Sequence, residues 1–187
     1  GASEIRPFLV GTQPEQAEAE PNDDLSHAQK SQQPSVTING VLSKGGDVDT
    51  YQVSLKKGET LVASMIANEQ IGSPMDSVLQ ILNHRGTVLS QIDDTLWYDP
   101  RIVFTALEEG TYYIRTFAFP ADANSSIAYS GSAAYIYRLT LTTGPFVDHS
   151  LPLAFHTATA KPVALEGWNL PDNLKTLQPV AEGNQNT

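Results

Sequence analysis

Between residues 35 and 142 the chain is written in short runs that alternate apolar and polar side chains, punctuated by turn signals. Alternation puts one set of side chains on each face of an extended segment, so each run reads as a half-buried strand. The runs fall at residues 36–42, 48–55, 60–67, 77–82, 87–92, 101–106, 111–117 and 134–141. Lys44-Gly45-Gly46, Lys56-Lys57-Gly58-Glu59, Asn83-His84-Arg85-Gly86 and Glu108-Glu109-Gly110 supply turns between them. Asn39-Gly40, ordinarily a hairpin signal, sits inside the first run and reads as a bulge. Asp23 or Asp24 is placed to cap one short helical turn through Leu25, His27 and Ala28. No amphipathic helix is available to cover a sheet, so strands must cover strands. The expected fold is all-β: an antiparallel β-sandwich, jelly-roll-like, of about eight strands.

The flanks lack this grammar. Residues 1–16 contain Pro7, Gly11 and Pro14 and read as a linker or N-terminal arm, with Ile5, Phe8, Leu9 and Val10 apolar enough to dock. Residues 17–144 hold the sandwich. After Gly144-Pro145, prolines recur through residues 145–187, which read as a linker with one strand-like island at residues 161–170. The abrupt Gly1-Ala2-Ser3 start and the abrupt tail suggest a piece excised from a longer chain.

Charge and composition narrow the function classes. Lys plus Arg number 11 against 21 acids, for a formal net charge of −10. Such a surface repels phosphate, so nucleic acid and anionic membrane are poor partners. The absence of cysteine excludes disulfides, thiolate catalysis and zinc–thiolate centres. No apolar run approaches the ~18 residues of a membrane span. His27, His84, His149 and His156 form no zinc pattern, and no nucleophile elbow or phosphate loop occurs.

The densest chemistry lies in two acidic stretches, Ala17-Glu18-Ala19-Glu20-Pro21-Asn22-Asp23-Asp24 and Asp47-Val48-Asp49-Thr50-Tyr51. On composition alone the first reads as a solvated acidic linker, with Asp47 and Asp49 as turn residues. The EF-hand spacing is not matched. Yet Glu18, Glu20 and Asn22 alternate, as do Asp47 and Asp49, so extended segments would present two combs of oxygens. Calcium, a hard cation taking six to eight oxygens, suits such a pair of combs.

The order of motifs adds to this. Glu18-Ala19-Glu20-Pro21-Asn22-Asp23, Ile38-Asn39-Gly40-Val41-Leu42, Asp47-Val48-Asp49-Thr50-Tyr51 and Lys57-Gly58-Glu59-Thr60-Leu61 come first. Ser73-Pro74-Met75-Asp76-Ser77-Val78-Leu79, Asn83-His84-Arg85-Gly86, Asp93-Asp94 and Glu109-Gly110-Thr111-Tyr112-Tyr113 follow. Over roughly residues 17–142 this series resembles the bacterial pre-peptidase C-terminal domain family. The resemblance implies a non-catalytic, jelly-roll-like sandwich appended to secreted peptidases and other exported proteins. In clostridial collagenase members the module binds collagen and holds calcium between an acidic N-terminal segment and a strand-opening pair. Carried over by motif, the metal ligands are Glu18, Glu20, Asn22, Asp23, Asp47 and Asp49, with Tyr51 at the family's aromatic position. Val163-Ala164-Leu165-Glu166-Gly167-Trp168-Asn169-Leu170 resembles the opening strand of an immunoglobulin-like, IPT/TIG-type domain; residues 145–187 are then its truncated start, or else an extra strand on the sandwich.

Other residues carry weaker expectations. Tyr113, Phe117, Tyr135 and Tyr137 read as core or cross-strand aromatics, which turns Tyr112 outward. Tyr112, with Trp97, Tyr98 and Tyr129 in loops, is a candidate ligand-binding aromatic, although loop aromatics more often close the ends of a core. Asp76 reads as a turn cap. Asn124-Ser125-Ser126 fits a glycosylation pattern or ordinary loop filler. The expected function is a calcium-stabilised accessory module of an exported multidomain bacterial protein, secreted, periplasmic or at the cell surface. Its partners are neighbouring domains and an extracellular protein or polysaccharide, without nucleic acid or membrane insertion. The rival readings are a carboxylate-dependent hydrolase using Asp76 and Asp93, and a metal-free structural spacer.

Overall fold

The structure, a computed structural model, describes residues 7–120, 128–154, 156 and 161–178. Ile5, the Asn124-Ser125-Ser126 pattern and the tail from Pro179 lie outside the described residues. The chain divides into two compact units, Gly1–Thr143 and Gly144–Thr187.

The first unit is a sandwich of two five-stranded sheets. One sheet runs β1 (Glu15–Ala17), β3 (Ser35–Val41), β10 (Ile136–Thr142), β5 (Thr60–Ile66), β8 (Arg101–Thr105). The other runs β2 (Gln29–Lys30), β4 (Asp49–Leu55), β9 (Gly110–Pro120), β6 (Met75–Asn83), β7 (Val88–Ile92). The eight runs anticipated from alternation are all strands, and neighbouring strands among them pair antiparallel. Two short edge strands escape the alternation signal. β1 pairs parallel with β3, and β2 pairs parallel with β4. Residues 15–17, assigned above to the arm and the acidic stretch, are therefore part of a sheet.

Period-two burial builds the core. Tyr51, Val53 and Leu55 of β4, Tyr112 and Ile114 of β9, and Leu79 and Ile81 of β6 point inward from one sheet. Val36 and Ile38 of β3, Leu61, Ala63 and Met65 of β5, and Tyr137, Leu139 and Leu141 of β10 meet them from the other. Truncating any large member to alanine costs about 2–5 kcal/mol, because close-packed neighbours collapse only partly into the space.

Several local readings change. The phase of β9 is one residue off: Tyr112 faces the core and is buried, while Tyr113 is half-buried. Tyr112 packs on Phe104 at 5.3 Å and donates its hydroxyl to the Glu108 carbonyl at 2.8 Å, so it is not an exposed ligand platform. Gly40 pairs in register with Tyr137, without a bulge. A register shift lies instead in the β6–β7 pairing, between Ile81 and Leu82. The Asp24 carboxylate accepts from the Ser26 and His27 amides at 2.8 and 3.1 Å and closes a turn; no helix forms there. Asp76 lies within β6 and not before it. The capping carboxylate is Asp99, buried, which accepts from the Ala67, Asn68 and Glu69 amides at 3.1, 2.7 and 3.2 Å. Those amides open the short helix α1 (Asn68–Ile71), where free N–H groups need acceptors.

The second unit is an antiparallel sheet of β11 (Phe146–Leu151), β12 (Val163–Trp168) and β13 (Thr176–Leu177), with a 3-10 turn at Asp172–Leu174. β12 is the strand-like island seen in the sequence. Phe146 and Trp168 pack with ring centroids 6.0 Å apart. Among the described residues no helix is long and apolar enough to cross a membrane.

Candidate metal centre

The acidic segment starts as sheet and ends as cage. β1 runs beside β3, and the Glu18 amide continues that ladder to the Asn39 carbonyl at 2.9 Å. This fixes Glu18 at the end of β3, where Oε2 accepts the Val41 amide at 2.7 Å. Two residues on, Glu20 Oε2 accepts the Asn22 amide at 3.0 Å. The Asn22 carbonyl accepts the Thr50 amide at 2.9 Å, tying the segment to the start of β4. β4 in turn places Asp49 on the same inward face as Tyr51.

The six oxygen-bearing residues singled out from sequence come together here. The carboxylates of Glu18, Glu20 and Asp49 offer oxygens within 4.8 Å of one another, and so do those of Glu20, Asp23 and Asp47, the two trios sharing Glu20. Asn22, fully buried, lies against Glu20 and Asp49. With its nitrogen turned toward them its amide donates to Glu20 Oε2 at 3.1 Å and Asp49 Oδ1 at 3.0 Å; turned the other way, its oxygen joins theirs.

Electrostatics disfavour negative charge on two members of the cluster, Asp49 and Glu18. Burial pushes the Asp49 carboxyl up to about 8, against the Tyr137 hydrogen bond, with Glu18, Asp47 and Glu20 pushing the same way as burial. Glu18 is also raised, chiefly by burial, then by Glu20 and Asp47, with the Val41 amide opposing. Both effects disfavour carboxylate charge in a poorly solvated group of like charges. Asp47 is fully buried; its Oδ2 accepts from the Ser43 amide and hydroxyl, and its Oδ1 has no hydrogen-bond partner. An orphaned buried carboxylate oxygen among other carboxylates is a free ligand position that a cation or a water would satisfy. The set is all oxygen, so it fits a hard divalent ion and not a soft one. Glu18 also lines a groove of about 730 Å3, and Glu20 and Asp23 are exposed, so the cluster is open to solvent on their side.

Sequence reasoning missed the support beneath the cage. Tyr137, from β10, donates its hydroxyl to Asp49 Oδ2, and the Tyr51 hydroxyl bonds that of Tyr137. Burial raises both phenols far above their ordinary range, so Tyr137 remains a donor. One Asp49 oxygen is thereby held from the core, leaving the other toward Asn22. Tyr137 reaches this position across Gly40: a Cβ on Gly40 would sit 2.3 Å from its ring carbon Cζ. Only the pairing of β3 with β10 reveals this, since Gly40 and Tyr137 are far apart in sequence.

The aromatic candidates separate. Tyr129 stacks on Phe117 with ring centroids 4.3 Å apart and meets Phe119 edge-on at 5.8 Å, so it is a lid over outer-face aromatics. Trp97 is 76% exposed, with Leu96 and Tyr98 also exposed beside it. Its φ is 54°, left-handed backbone that costs a bulky residue about 1–3 kcal/mol. Asp93 and Asp94 are exposed on the same loop, and Asp76 is half-buried. Burial raises the Asp76 carboxyl, followed by the fields of Asp94 and Asp93.

Known proteins place the sandwich. The family model of the bacterial pre-peptidase C-terminal domain matches residues 47–118, which bears out the resemblance drawn from the ordered motifs. A 96-residue stretch, 51% of this chain, is 30% identical to a probable subtilase-type serine protease of Deinococcus radiodurans and spans 13% of that protein's length. Two crystal structures are similar at TM-scores below the level of close likeness. The pre-peptidase C-terminal domain of a Bacillus anthracis collagenase has a TM-score of 0.46 at 15% identity, over 67% of this chain and 100% of that one. PliG of Aeromonas hydrophila, a periplasmic inhibitor of g-type lysozyme, has 0.45 at 14%, over 62% and 94%.

Proposed function

We propose that this pre-peptidase C-terminal domain is a calcium-stabilised, non-catalytic module of an exported multidomain bacterial protein, a secreted peptidase being the favoured parent. Its work is to bind an extracellular protein or polysaccharide, or to hold neighbouring domains at a set geometry. The observation carrying this reading is the convergence of Glu18, Glu20 and Asp49 and of Glu20, Asp23 and Asp47 in two trios joined at Glu20, with Asn22 against Glu20 and Asp49 and with one buried Asp47 oxygen unpartnered.

Most of these residues have a distinct task in that reading. Glu18, anchored by the Val41 amide, and Asp47, anchored by Ser43, present carboxylates whose positions are already fixed. Asn22 and Glu20 bring the N-terminal segment to β4. Tyr137 holds Asp49 from below. When bound, calcium supplies positive charge that offsets the mutual repulsion of these groups. The segment at residues 17–24 is then clamped to the sandwich, and whatever precedes it in the parent chain inherits a fixed direction. Export to the periplasm, the cell surface or the medium follows from the same module reading.

Calorimetric melting in EGTA and in millimolar calcium tests the proposal. A ligand that binds only the native state adds about 2.7 kcal/mol when present at 100 times its Kd. A large upward shift in Tm with calcium is expected. Identical melting curves would sink the metal and leave the structural spacer. The hydrolase reading lacks support of this kind: Asp76 and Asp93 have no organised nucleophile or proton-transfer partner among the described residues.

A further inference from the structure

We propose that the loop tip formed by Leu96, Trp97 and Tyr98, flanked by Asp76, Asp93 and Asp94, is a docking surface for a lysine- or arginine-bearing polypeptide segment. This names, by its chemistry, the partner left open in the module reading above, and it does not depend on the cation.

The first observation is rigid presentation. Leu96 and Asp99 exchange amide and carbonyl in two hydrogen bonds, each 3.1 Å, around the two-residue turn Trp97-Tyr98. The stem cannot swing freely. Asp99 is locked onto α1 by three backbone amides, the Thr95 hydroxyl accepts the Arg101 amide at 3.0 Å, and the Tyr98 carbonyl accepts the Ser77 amide at 3.3 Å. On this fixed stem the turn's first residue, a position suited to glycine when φ is positive, is occupied by tryptophan. The largest side chain available is thus held in strained backbone and turned to solvent. A chain that needed only the turn would place glycine there. The strain persists because the surroundings over-determine it, and it keeps the indole from retreating.

The second observation is charge. Asp93 and Asp94 lie on the same loop, and Tyr98 is bonded to Ser77, the neighbour of Asp76 in β6. The Tyr98–Ser77 bond holds this loop against β6 beside Asp76, whose carboxyl is raised by burial first and then by the fields of Asp94 and Asp93, so the three acids share one neighbourhood. Arg101, at the foot of the loop, donates its guanidinium Nε to Ser64 Oγ at 3.0 Å. An exposed indole beside clustered carboxylates is complementary to a guanidinium or ammonium. The ring face attracts the cation, the acids supply the counter-charge, and Leu96 and Tyr98 take the aliphatic stem. Preorganisation spares the ordering cost of binding.

The test uses the intact chain carrying Trp168→Phe, which leaves Trp97 as the single tryptophan. The probe is a short arginine/serine peptide, titrated in millimolar calcium and followed by Trp97 emission and by peptide anisotropy. Its glutamine-for-arginine counterpart and an uncharged β-linked glucan oligosaccharide serve as competitors for the assignment. The arginine peptide should saturate the emission change, with affinity falling as salt rises. Trp97→Ala should weaken anisotropy binding by about tenfold or more, and Asp93→Asn with Asp94→Asn by a similar factor. Glu108→Gln with Glu109→Gln makes the same charge change at the other end of β8 and should leave affinity unchanged. Trp97→Gly should match or exceed the parent Tm while losing binding, which separates a displayed side chain from a structural one. Unchanged affinity in Trp97→Ala overturns the proposal. So does equal weakening by the Glu108 and Glu109 changes, or tighter binding of the glutamine peptide or the glucan. The calcium shift in Tm, measured on the same samples, reports separately on the module's cation.

Discussion

Two acidic neighbourhoods of the sandwich have similar composition and opposite dispositions. At residues 18–23 and 47–49 Asp47 and Asp49 are buried and Glu18 half-buried, gripped by amides and a phenol, while Glu20 and Asp23 stand exposed at the rim. At residues 93–98 the Asp93 and Asp94 carboxylates remain in water and Trp97 faces out with them. Burial decides what clustered charge can do. Inside, repulsion is costly and a compact cation would offset it; outside, screening lowers the repulsion and leaves room for a bulkier one.

The contrast can be broken by neutralising one carboxylate on each side. In calcium, Asp47→Ala should lower stability by about 3 kcal/mol, through loss of the linked cation and of the acceptor for Ser43, as read by denaturant melts. Asp94→Asn should stay within about 0.5 kcal/mol of the parent. Equal losses at the two sites would erase the distinction.

A smaller effect sharpens the role of the support. Tyr137→Phe keeps the ring and removes the donor, leaving buried Asp49 and Tyr51 without it, at a cost of about 1–3 kcal/mol. The diagnostic readout is calcium affinity by titration calorimetry, which should fall. Stability loss with unchanged affinity would reduce Tyr137 to a core residue.

The smallest effect lies at the start of the acidic segment. The Arg138 guanidinium, 2.8 Å from Glu15, leads the influences that hold that carboxyl below its ordinary value. A depressed native value means the unfolded chain binds the proton more readily. The pair's contribution is therefore present above the unfolded value near 4.5 and is lost as pH falls through the native one. Both groups are partly exposed, so the loss is below about 1 kcal/mol. Melts of the parent and Arg138→Gln should converge as pH is lowered from neutral.

The sequence made most of the sandwich legible because its signal is local: alternation and turns identify a strand without reference to its partner. The cage was legible for a related reason, since both oxygen combs are short contiguous motifs. What stayed hidden depends on register. β1 and β2 are too short to show a period. The inward face of β9 could not be phased, because aromatic residues occupy consecutive positions at Tyr112 and Tyr113 and the burial of each is set by the opposing sheet. Tyr137 beneath Asp49, Gly40 beneath Tyr137 and Asp99 on α1 are all partnerships across tens of residues. Trp97 was visible as a loop aromatic, but its left-handed backbone was not.

β1 and β2 border opposite sheets, yet the same short stretch of chain supplies both, and it also carries the acidic segment between them. Without it, β3 and β4 would each show a bare row of amides and carbonyls, the kind of raw margin on which foreign strands nucleate aggregates. The stretch is thus a hem sewn along both fabrics at once, with the carboxylate cage as its fastening. Loosening that fastening would bare both margins at once.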